Sequence, residues 1–206
     1  MKKGHFITFE GGDGSGKSTQ INILKDKLIK DGYDVILTRE PGGTQISEKI
    51  REIILDKENS EMNDMTEALL YAAARAQIVN QVIRPAIQEG KVVICDRFVD
   101  SSIAYQAYGR NLGECVSIIN SFAIGECMPE LTFFLKVAPE VGNKRISKRE
   151  HDRIELASDD FREKVYEGYL MLEKQFPDRI VSIDAGRTIK EISNVISEKI
   201  NALLED

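Results

Sequence analysis

The sequence predicts a doubly wound α/β domain in which helices cover both faces of a five-stranded parallel sheet. Short apolar, β-branched runs alternate along the chain with longer amphipathic stretches. This alternation is typical of parallel strands that are joined by crossover helices. The chain has 206 residues, which is too few to divide comfortably into two domains. We therefore expect one domain that spans residues 1–206.

Five apolar runs predict the strands of this sheet. In chain order they are His5–Phe9, Asp34–Thr38, Val92–Asp96, Leu131–Val137 and Arg179–Ile183. Each is short and rich in β-branched or aromatic residues, as buried parallel strands are.

Apolar residues at helical spacing predict the helices between these strands. Two such stripes, which we interpret as core, are Ile21, Leu24 and Leu28, and Phe161, Val165, Tyr169, Leu172 and Phe176. A longer pattern runs from about 66 to 89 and contains Pro85, which should kink or end the helix because proline lacks a backbone N–H. Before the last helix, Thr188 and Glu191 have the spacing of a capping box.

Composition excludes several classes of protein. Hydrophobic residues make up 42% and charged residues 30% of the chain, which is ordinary globular usage. The formal net charge of -6 would repel DNA or RNA. No apolar run approaches the ~20 residues of a membrane span. The three cysteines and two histidines have neither zinc-site nor disulfide-framework spacing. We expect a reduced cytoplasmic protein without a nucleic acid or membrane partner.

A glycine-rich loop follows the first predicted strand and opens a helix. It consists of Gly11, Gly12, Asp13, Gly14, Ser15, Gly16, Lys17 and Ser18, and it matches the P-loop pattern G-x-x-x-x-G-K-[ST]. Glycines allow backbone N–H groups to surround phosphate oxygens, and the helix N-terminus adds partial positive charge. Lys17 would bind the β- and γ-phosphates of a nucleotide. The loop therefore predicts a P-loop fold that binds ATP.

The third predicted strand ends in a carboxylate, Asp96. Taken alone, an aspartate at a strand end is more often a cap or turn residue. In a P-loop protein the same position supplies an acidic partner for Mg²⁺. We predict that Asp96 and the Ser18 hydroxyl hold Mg²⁺, because this hard cation prefers oxygen ligands.

A kinase fits the remaining motifs better than a regulatory GTPase. The guanine-reading pattern N-K-x-D is not met, since residues 143–146 read Asn-Lys-Arg-Ile. A kinase for a small molecule needs a second anion site that aligns the acceptor with the γ-phosphate.

Three motifs resemble those of the thymidylate kinases. They are Phe9-Glu10-Gly11, Arg39-Glu40-Pro41-Gly42-Gly43, and the run from Asp96-Arg97-Phe98 to Ser102-Ile103-Ala104-Tyr105-Gln106. The resemblance covers nearly the whole chain and includes residues 70–75 and 152–155. It implies a nucleoside monophosphate kinase fold, transfer of phosphate from MgATP to dTMP in dTTP biosynthesis, and a homodimer.

The resemblance also implies roles in binding the acceptor nucleotide. Tyr71 would stack on thymine where the family usually has Phe, Arg75 and Gln106 would read the base, and Ser102 would help to hold it. Tyr105 would lie against the sugar beside Ser101, and Asp13 would accept from the 3′-hydroxyl. Arg97 and Arg51 would bind the acceptor phosphate, with Glu40 nearby. Two alternatives stay open: Tyr71 as an ordinary core residue, and Glu40 as a carboxylate that stabilises its turn.

A basic segment at about 143–157 is the predicted lid. Some thymidylate kinases carry an arginine in the P-loop, where this chain has Asp13-Gly14-Ser15. By resemblance, Arg149 or Arg153 would reach the γ-phosphate instead, and Arg145 would flank ATP. The loop at residues 185–187 is a separate candidate for the adenine pocket. A charge-rich run can also be a solvated face. For the whole protein the alternatives are a kinase for dUMP or UMP and a nucleotide-hydrolysing switch.

Overall fold

The computed structural model of the chain describes residues 3–146 and 152–205. Its five strands are β1 (His5–Glu10), β2 (Val35–Arg39), β3 (Val92–Asp96), β4 (Leu131–Lys136) and β5 (Ile180–Asp184). All five predicted strands are confirmed, each to within one residue at either end.

The strands form one parallel sheet in the order β2-β3-β1-β4-β5. The central strand β1 pairs with β3 on one side and with β4 on the other. The chain runs from β1 to β2 and β3 on one side of the central strand, and then to β4 and β5 on the other side. A crevice therefore opens at the carboxyl ends of the strands next to β1. The register brings Phe9 level with Asp96, so the residues after both strands meet at this edge.

Nine α-helices lie within the described residues. They are α1 (Lys17–Lys30), α2 (Gln45–Leu55), α3 (Asp64–Ile78), α4 (Arg84–Gln88), α5 (Val99–Ser102), α6 (Cys115–Ile124), α7 (Pro139–Ile146), α8 (Asp159–Gln175) and α9 (Ile189–Glu205). One buried cluster joins the sheet to α1 and α9, and a second joins its other face to α3 and α4. The doubly wound architecture is confirmed.

The long helical pattern around Pro85 is interrupted, as predicted. The helix α3 ends at Ile78, a π-helical turn covers Val79–Ile83, and α4 begins at Arg84. The missing N–H of Pro85 and the clash of its ring with the preceding turn account for the break in regular hydrogen bonding. A second π-helical segment, Ile103–Gly109, follows α5 and carries two predicted site residues.

The other helical predictions hold with one exception. The stripe on α1 is buried, and the capping box of α9 forms, with Thr188 N–H donating to Glu191 Oε2 at 2.9 Å. On the α8 stripe, Phe176 is 39% exposed because it follows the last residue of the helix. Within the described residues, no helix has the length and apolar character needed to cross a membrane.

Candidate active site

A pocket of about 690 Å³ opens at the carboxyl ends of the strands. It brings together most of the predicted site residues: Asp13, Gly14, Ser15, Gly16, Lys17, Ser18, Glu40, Arg51, Tyr71, Arg75, Asp96, Arg97, Ser101, Ser102, Tyr105, Gln106 and Arg145. Gly11, Gly12 and Arg153 do not line it, and Arg149 lies outside the described residues. The pocket therefore brings together the predicted donor-binding and acceptor-binding residues from elements distant in sequence.

The P-loop has the backbone conformation that its glycines predict. Gly11, Gly14 and Gly16 have φ angles of 132°, 74° and 93°, which residues with a side chain rarely adopt. Gly14 also meets helix α7 directly, because an added Cβ would lie 2.5 Å from the carbonyl oxygen of Gly142. Neither residue can carry a side chain without separating the loop from α7.

Lys17 is buried beneath this loop. Its Nζ donates to the carbonyl oxygens of Gly11 at 3.0 Å and Gly12 at 3.2 Å. Burial, helped by the nearby Arg97 guanidinium, lowers the pKa of Lys17 to about 8. An anionic ligand in the pocket would favour the charged form of this lysine.

Arg145 joins the P-loop to the candidate adenine loop. Its guanidinium donates to the carbonyl oxygen of Gly14 at 3.1 Å and to that of Ala185 at 3.2 Å. The side chain therefore lies between the P-loop and residues 185–187, which are the predicted phosphate and adenine ends of an ATP site.

Arg97 lies on the side of the pocket that is predicted to bind the acceptor nucleotide. It donates to Asp13 Oδ1 at 2.9 Å and, at 3.3 Å each, to the hydroxyls of Ser101 and Tyr169. The guanidinium carbon also lies 5.1 Å from the ring centre of Tyr105. These contacts fix the guanidinium beside three other predicted acceptor-site residues.

Glu10 supports this arrangement from below the pocket. Its carboxylate is fully buried and accepts from Phe98 N at 2.7 Å, Ser101 Oγ at 2.6 Å and Tyr169 hydroxyl at 2.9 Å. Burial, together with the negative charge of Asp100, raises the pKa of Glu10 to about 7. In the sequence, Glu10 is marked only as part of a motif, and Tyr169 is marked only as a member of a core stripe.

Arg75 is buried at the end of the pocket that is predicted to bind the base, and its guanidinium donates hydrogen bonds to other side chains of the protein. It donates to Glu40 Oε2 at 2.7 Å, to Ser102 Oγ at 2.8 Å and to the side chain of Asn120. Burial raises the pKa of Glu40 to about 7, although the positive charge of Arg75 opposes this rise. Glu40 thus holds an inward-facing arginine, which is more than the turn-stabilising role left open above.

Tyr71 and Gln106, which are predicted to contact the base, lie close to a third buried carboxylate, Glu67. Gln106 donates from Nε2 to Glu67 Oε1 at 3.0 Å. Burial raises the pKa of the Tyr71 phenol, with the charge of Glu67 as a further cause. Glu67 was missed by sequence reasoning, because nothing local distinguishes it from other glutamates near a helix start.

The structure places Arg153 away from the P-loop. Its guanidinium donates to Glu67 Oε2 at 2.7 Å and to the carbonyl oxygen of Ile54 at 2.8 Å, at the base end of the pocket. A desolvated carboxylate binds the arginine more strongly than solvent does, which keeps it there rather than over the P-loop. Arg51, in contrast, lines the pocket and donates to the carbonyl oxygen of Pro41 at 2.9 Å.

Oxygen atoms suited to a hard cation are present where the sequence predicts them. Within the described part of the chain, Asp96 Oδ1 is buried without a hydrogen-bond partner. Ser18 lines the same pocket at the start of α1. A buried unpaired carboxylate oxygen is costly unless a ligand binds it, so the donor set fits Mg²⁺.

The thymidylate kinase family model matches residues 9–196. The chain belongs to the thymidylate kinase family. It is 51% identical to the thymidylate kinase of Oceanobacillus iheyensis, over 98% of this chain and 92% of that protein. It is 48% identical to the thymidylate kinase of a Thermoanaerobacter species, over 98% of this chain and all of that protein (100%).

A solved structure agrees with this assignment. The crystal structure of thymidylate kinase from Ehrlichia chaffeensis superposes with a TM-score of 0.79 at 30% identity, covering 96% of this chain and 99% of that chain. The P-loop nucleoside monophosphate kinase fold of the thymidylate kinase family is therefore confirmed, and the chain is a phosphotransferase that uses ATP as its donor.

Proposed function

We propose that this member of the thymidylate kinase family transfers the γ-phosphoryl group of ATP to the phosphate of dTMP and so produces dTDP. The observation that carries the proposal is the common pocket, which is lined by a P-loop, by two arginines suited to an acceptor phosphate and by a buried amide suited to a pyrimidine. Donor and acceptor would meet inside one cavity, as an in-line transfer requires.

The P-loop and Arg145 would hold ATP. The backbone N–H groups of residues 11–18 and the start of α1 would bind the phosphates, with Lys17 at the β- and γ-phosphates. Arg145 would lie along the nucleotide toward residues 185–187. Ser18 and Asp96 would hold Mg²⁺, which when bound neutralises charge on the phosphate oxygens.

The acceptor phosphate would bind Arg97 and Arg51, because a guanidinium group matches phosphate oxygens with paired donors. Asp13 and Tyr105 would contact the sugar. The Tyr105 ring is fixed by Arg97 and packs edge-on to Phe161 with centroids 6.0 Å apart. A ring held there would leave little room for a 2′-hydroxyl and would favour deoxyribose.

Base recognition would use Tyr71, Gln106 and Arg75. Tyr71 would stack on thymine from α3, one helical turn before Arg75. Gln106 presents an amide oxygen that has no partner within the described residues. Ser102, as an acceptor for Arg75, would help to keep that guanidinium in place.

No side chain needs to act as a general base. The second pKa of a phosphate monoester is near ~6, so the attacking oxygen of dTMP is already ionised at neutral pH. This oxygen forms the new bond to the γ-phosphorus while the bond to the bridging oxygen breaks and ADP leaves with that electron pair. Cations then stabilise the charge: Lys17, Arg97 and, from outside the described residues, Arg149. The placement of Arg153 disfavours a catalytic role for it.

We also propose a homodimer, in keeping with the family resemblance. An exposed apolar face on α3 and α6 supports it, with Leu69 at 50%, Ile118 at 55% and Phe122 at 85% exposure. Burying such a face would stabilise association.

The single domain, the lid at about 143–157 and the cytoplasmic location stay predictions. The cytoplasmic location rests on three cysteines without a disulfide.

The test is ADP production from MgATP with dTMP, dUMP, UMP, CMP, AMP or GMP as the only acceptor, beside a reaction without acceptor. Strong activity that depends on dTMP is expected. A preference for dUMP or UMP would retain the kinase mechanism but contradict the proposed base contacts. ADP release that ignores every monophosphate would instead indicate a nucleotide-hydrolysing switch.

A further inference from the structure

The amide of Gln106 has one orientation in the structure, and Glu67 sets it. Gln106 is 1% exposed and donates from Nε2 to Glu67 Oε1 at 3.0 Å. Its other end, Oε1, is a buried acceptor without a partner in residues 3–146 and 152–205, and Gln106 is one of the residues that line the pocket. The two ends of an amide are told apart only by their hydrogen-bond partners, and here the partner is a carboxylate.

Glu67 can only accept. Its carboxylate is fully buried and also accepts hydrogen bonds from Arg110 Nη2 at 3.0 Å and from Arg153 Nη2 at 2.7 Å. Burial alone would raise the pKa of Glu67, but hydrogen bonds from Arg110 and the other donors hold that pKa below its usual value. The group is therefore ionised at neutral pH and has no proton to offer an amide oxygen.

We propose that Glu67 is a positioning residue that fixes the Gln106 amide with its oxygen toward the bound base, and so selects bases with an N–H donor at N3 over bases with an acceptor there. This inference rests on the proposed function and adds to it the residue that excludes cytosine. Glu67 itself does not touch the base; it acts through Gln106.

The chemistry of the two base classes gives the selectivity. Thymine offers N3–H to Gln106 Oε1 and a neighbouring carbonyl to the second N–H of Nε2. Cytosine and 5-methylcytosine have an acceptor at N3 and an amino group in place of the C4 carbonyl of thymine, so each would face a like group of the same amide. Gln106 could adapt only by rotating its oxygen onto Glu67, where two acceptors would meet without a hydrogen between them. Such repulsion against the wrong partner is a means of specificity.

The experiment is Glu67→Gln, an isosteric change that removes the charge and lets residue 67 either donate or accept. We would measure KM and kcat for dTMP and, by competition, the dissociation constants of dTMP and 5-methyl-dCMP. The preference for dTMP should fall about tenfold or more, the range expected when a buried hydrogen bond stops discriminating. The KM for dTMP should rise more than kcat falls, because the chemical step does not involve Glu67.

A matched control is Asp100→Asn, which removes another buried carboxylate from an arginine, Arg179, with which it pairs at 2.6 Å. That variant should lose stability yet keep the ratio of the two dissociation constants. The inference would be overturned if the ratio of the two dissociation constants were the same in Glu67→Gln as in the unsubstituted protein, with binding of both ligands weakened by the same factor. Failure of the unsubstituted protein to phosphorylate dTMP would instead contradict the proposed function, so the two failures are distinct.

If Glu67→Gln does not fold, the unsubstituted protein still decides the matter. With dTMP bound, nuclear magnetic resonance should detect coupling across the hydrogen bond between the Gln106 side-chain nitrogen and the Glu67 carboxyl carbon. Absence of this coupling, with the Gln106 nitrogen in contact with the base N3 instead, would show the opposite amide orientation and refute the proposal.

Discussion

Helix α7 contacts the P-loop backbone to backbone, and this contact can be tested by adding one methyl group. A Cβ on Gly142 would lie 2.5 Å from the carbonyl oxygen of Asp13, whereas ordinary contacts of this kind begin at 3.4 Å. In Gly142→Ala the two segments must therefore separate by up to 0.9 Å, the difference between 3.4 and 2.5 Å. Neither partner is a side chain that could rotate away.

We expect this separation to slow phosphoryl transfer. It would stretch the 3.1 Å bond from Arg145 to the Gly14 carbonyl oxygen and shift the loop that positions the phosphates. A misplacement of about 1 Å costs up to about 10²-fold in rate, and overpacking costs about 1–3 kcal/mol. The kcat should fall between about 10-fold and 10²-fold, and the KM for ATP should rise more than the dissociation constant of dTMP.

The assay is steady-state kinetics with ATP varied, together with thermal unfolding of each variant. Val141→Ala is the matched control, since it changes the neighbouring residue of α7, which is 43% exposed. If Gly142→Ala is folded and its kcat and KM for ATP equal those of Val141→Ala, the packing of α7 on the P-loop does not position the phosphates, and the reasoning fails.

Three further predictions concern charged residues. Arg97→Ala should raise the dTMP concentration required and slow transfer, because it removes the cation bound to Asp13 at 2.9 Å; unchanged kinetics in a folded variant would exclude Arg97 from the acceptor site. Lys17 has a pKa of about 8, below its usual 10.5, so kcat/KM for ATP should fall as pH rises through about 8. ATP binding at that pH should take up protons, detectable by calorimetry in buffers of different ionisation enthalpy. In the ligand-free protein the unfolded state binds more protons than the folded state between pH 8 and 10.5. Lys17 therefore lowers the stability of the fold below pH 8, and this penalty lessens as pH rises above 8. A Lys17→Met variant whose stability has the same pH dependence as the unsubstituted protein would contradict this expectation. Arg149→Ala should lower kcat more than it weakens dTMP binding, whereas the reverse result would assign Arg149 to binding of the ground state.

Local patterns were sufficient for the sheet and the P-loop. A buried parallel strand is a short β-branched run, and a phosphate-binding loop is a fixed order of glycines and one lysine, so both can be recognised without knowledge of distant residues. The family motifs then placed Arg97, Tyr105 and Gln106 in the pocket that the structure shows.

The polar groups that hold those residues could not be predicted in the same way. Tyr169 reaches Glu10 across 159 positions of sequence, and Gln106 reaches Glu67 across 39. A helical stripe shows which face is buried, but not which polar atoms meet within it. Similarly, the basic run around Arg153 indicated a cation near the lid, but its direction depends on Glu67, a carboxylate that no local pattern marks.

The end of β3 shows how hydrogen bonds to buried polar groups position residues that matter for catalysis. Successive side chains of an extended strand point to opposite faces, yet Asp96 and Arg97 both line the pocket. The backbone of Arg97 makes this possible with a φ of 67°, a left-handed conformation that costs about 1–2 kcal/mol in a residue with a side chain. Hydrogen bonds on either side offset that cost: Arg97 N–H donates to Phe9 O at 2.9 Å, and Phe98 N–H donates to Glu10 Oε1 at 2.7 Å. The buried Glu10 thus stabilises the turn that places the carboxylate suited to Mg²⁺ next to the guanidinium suited to the acceptor phosphate.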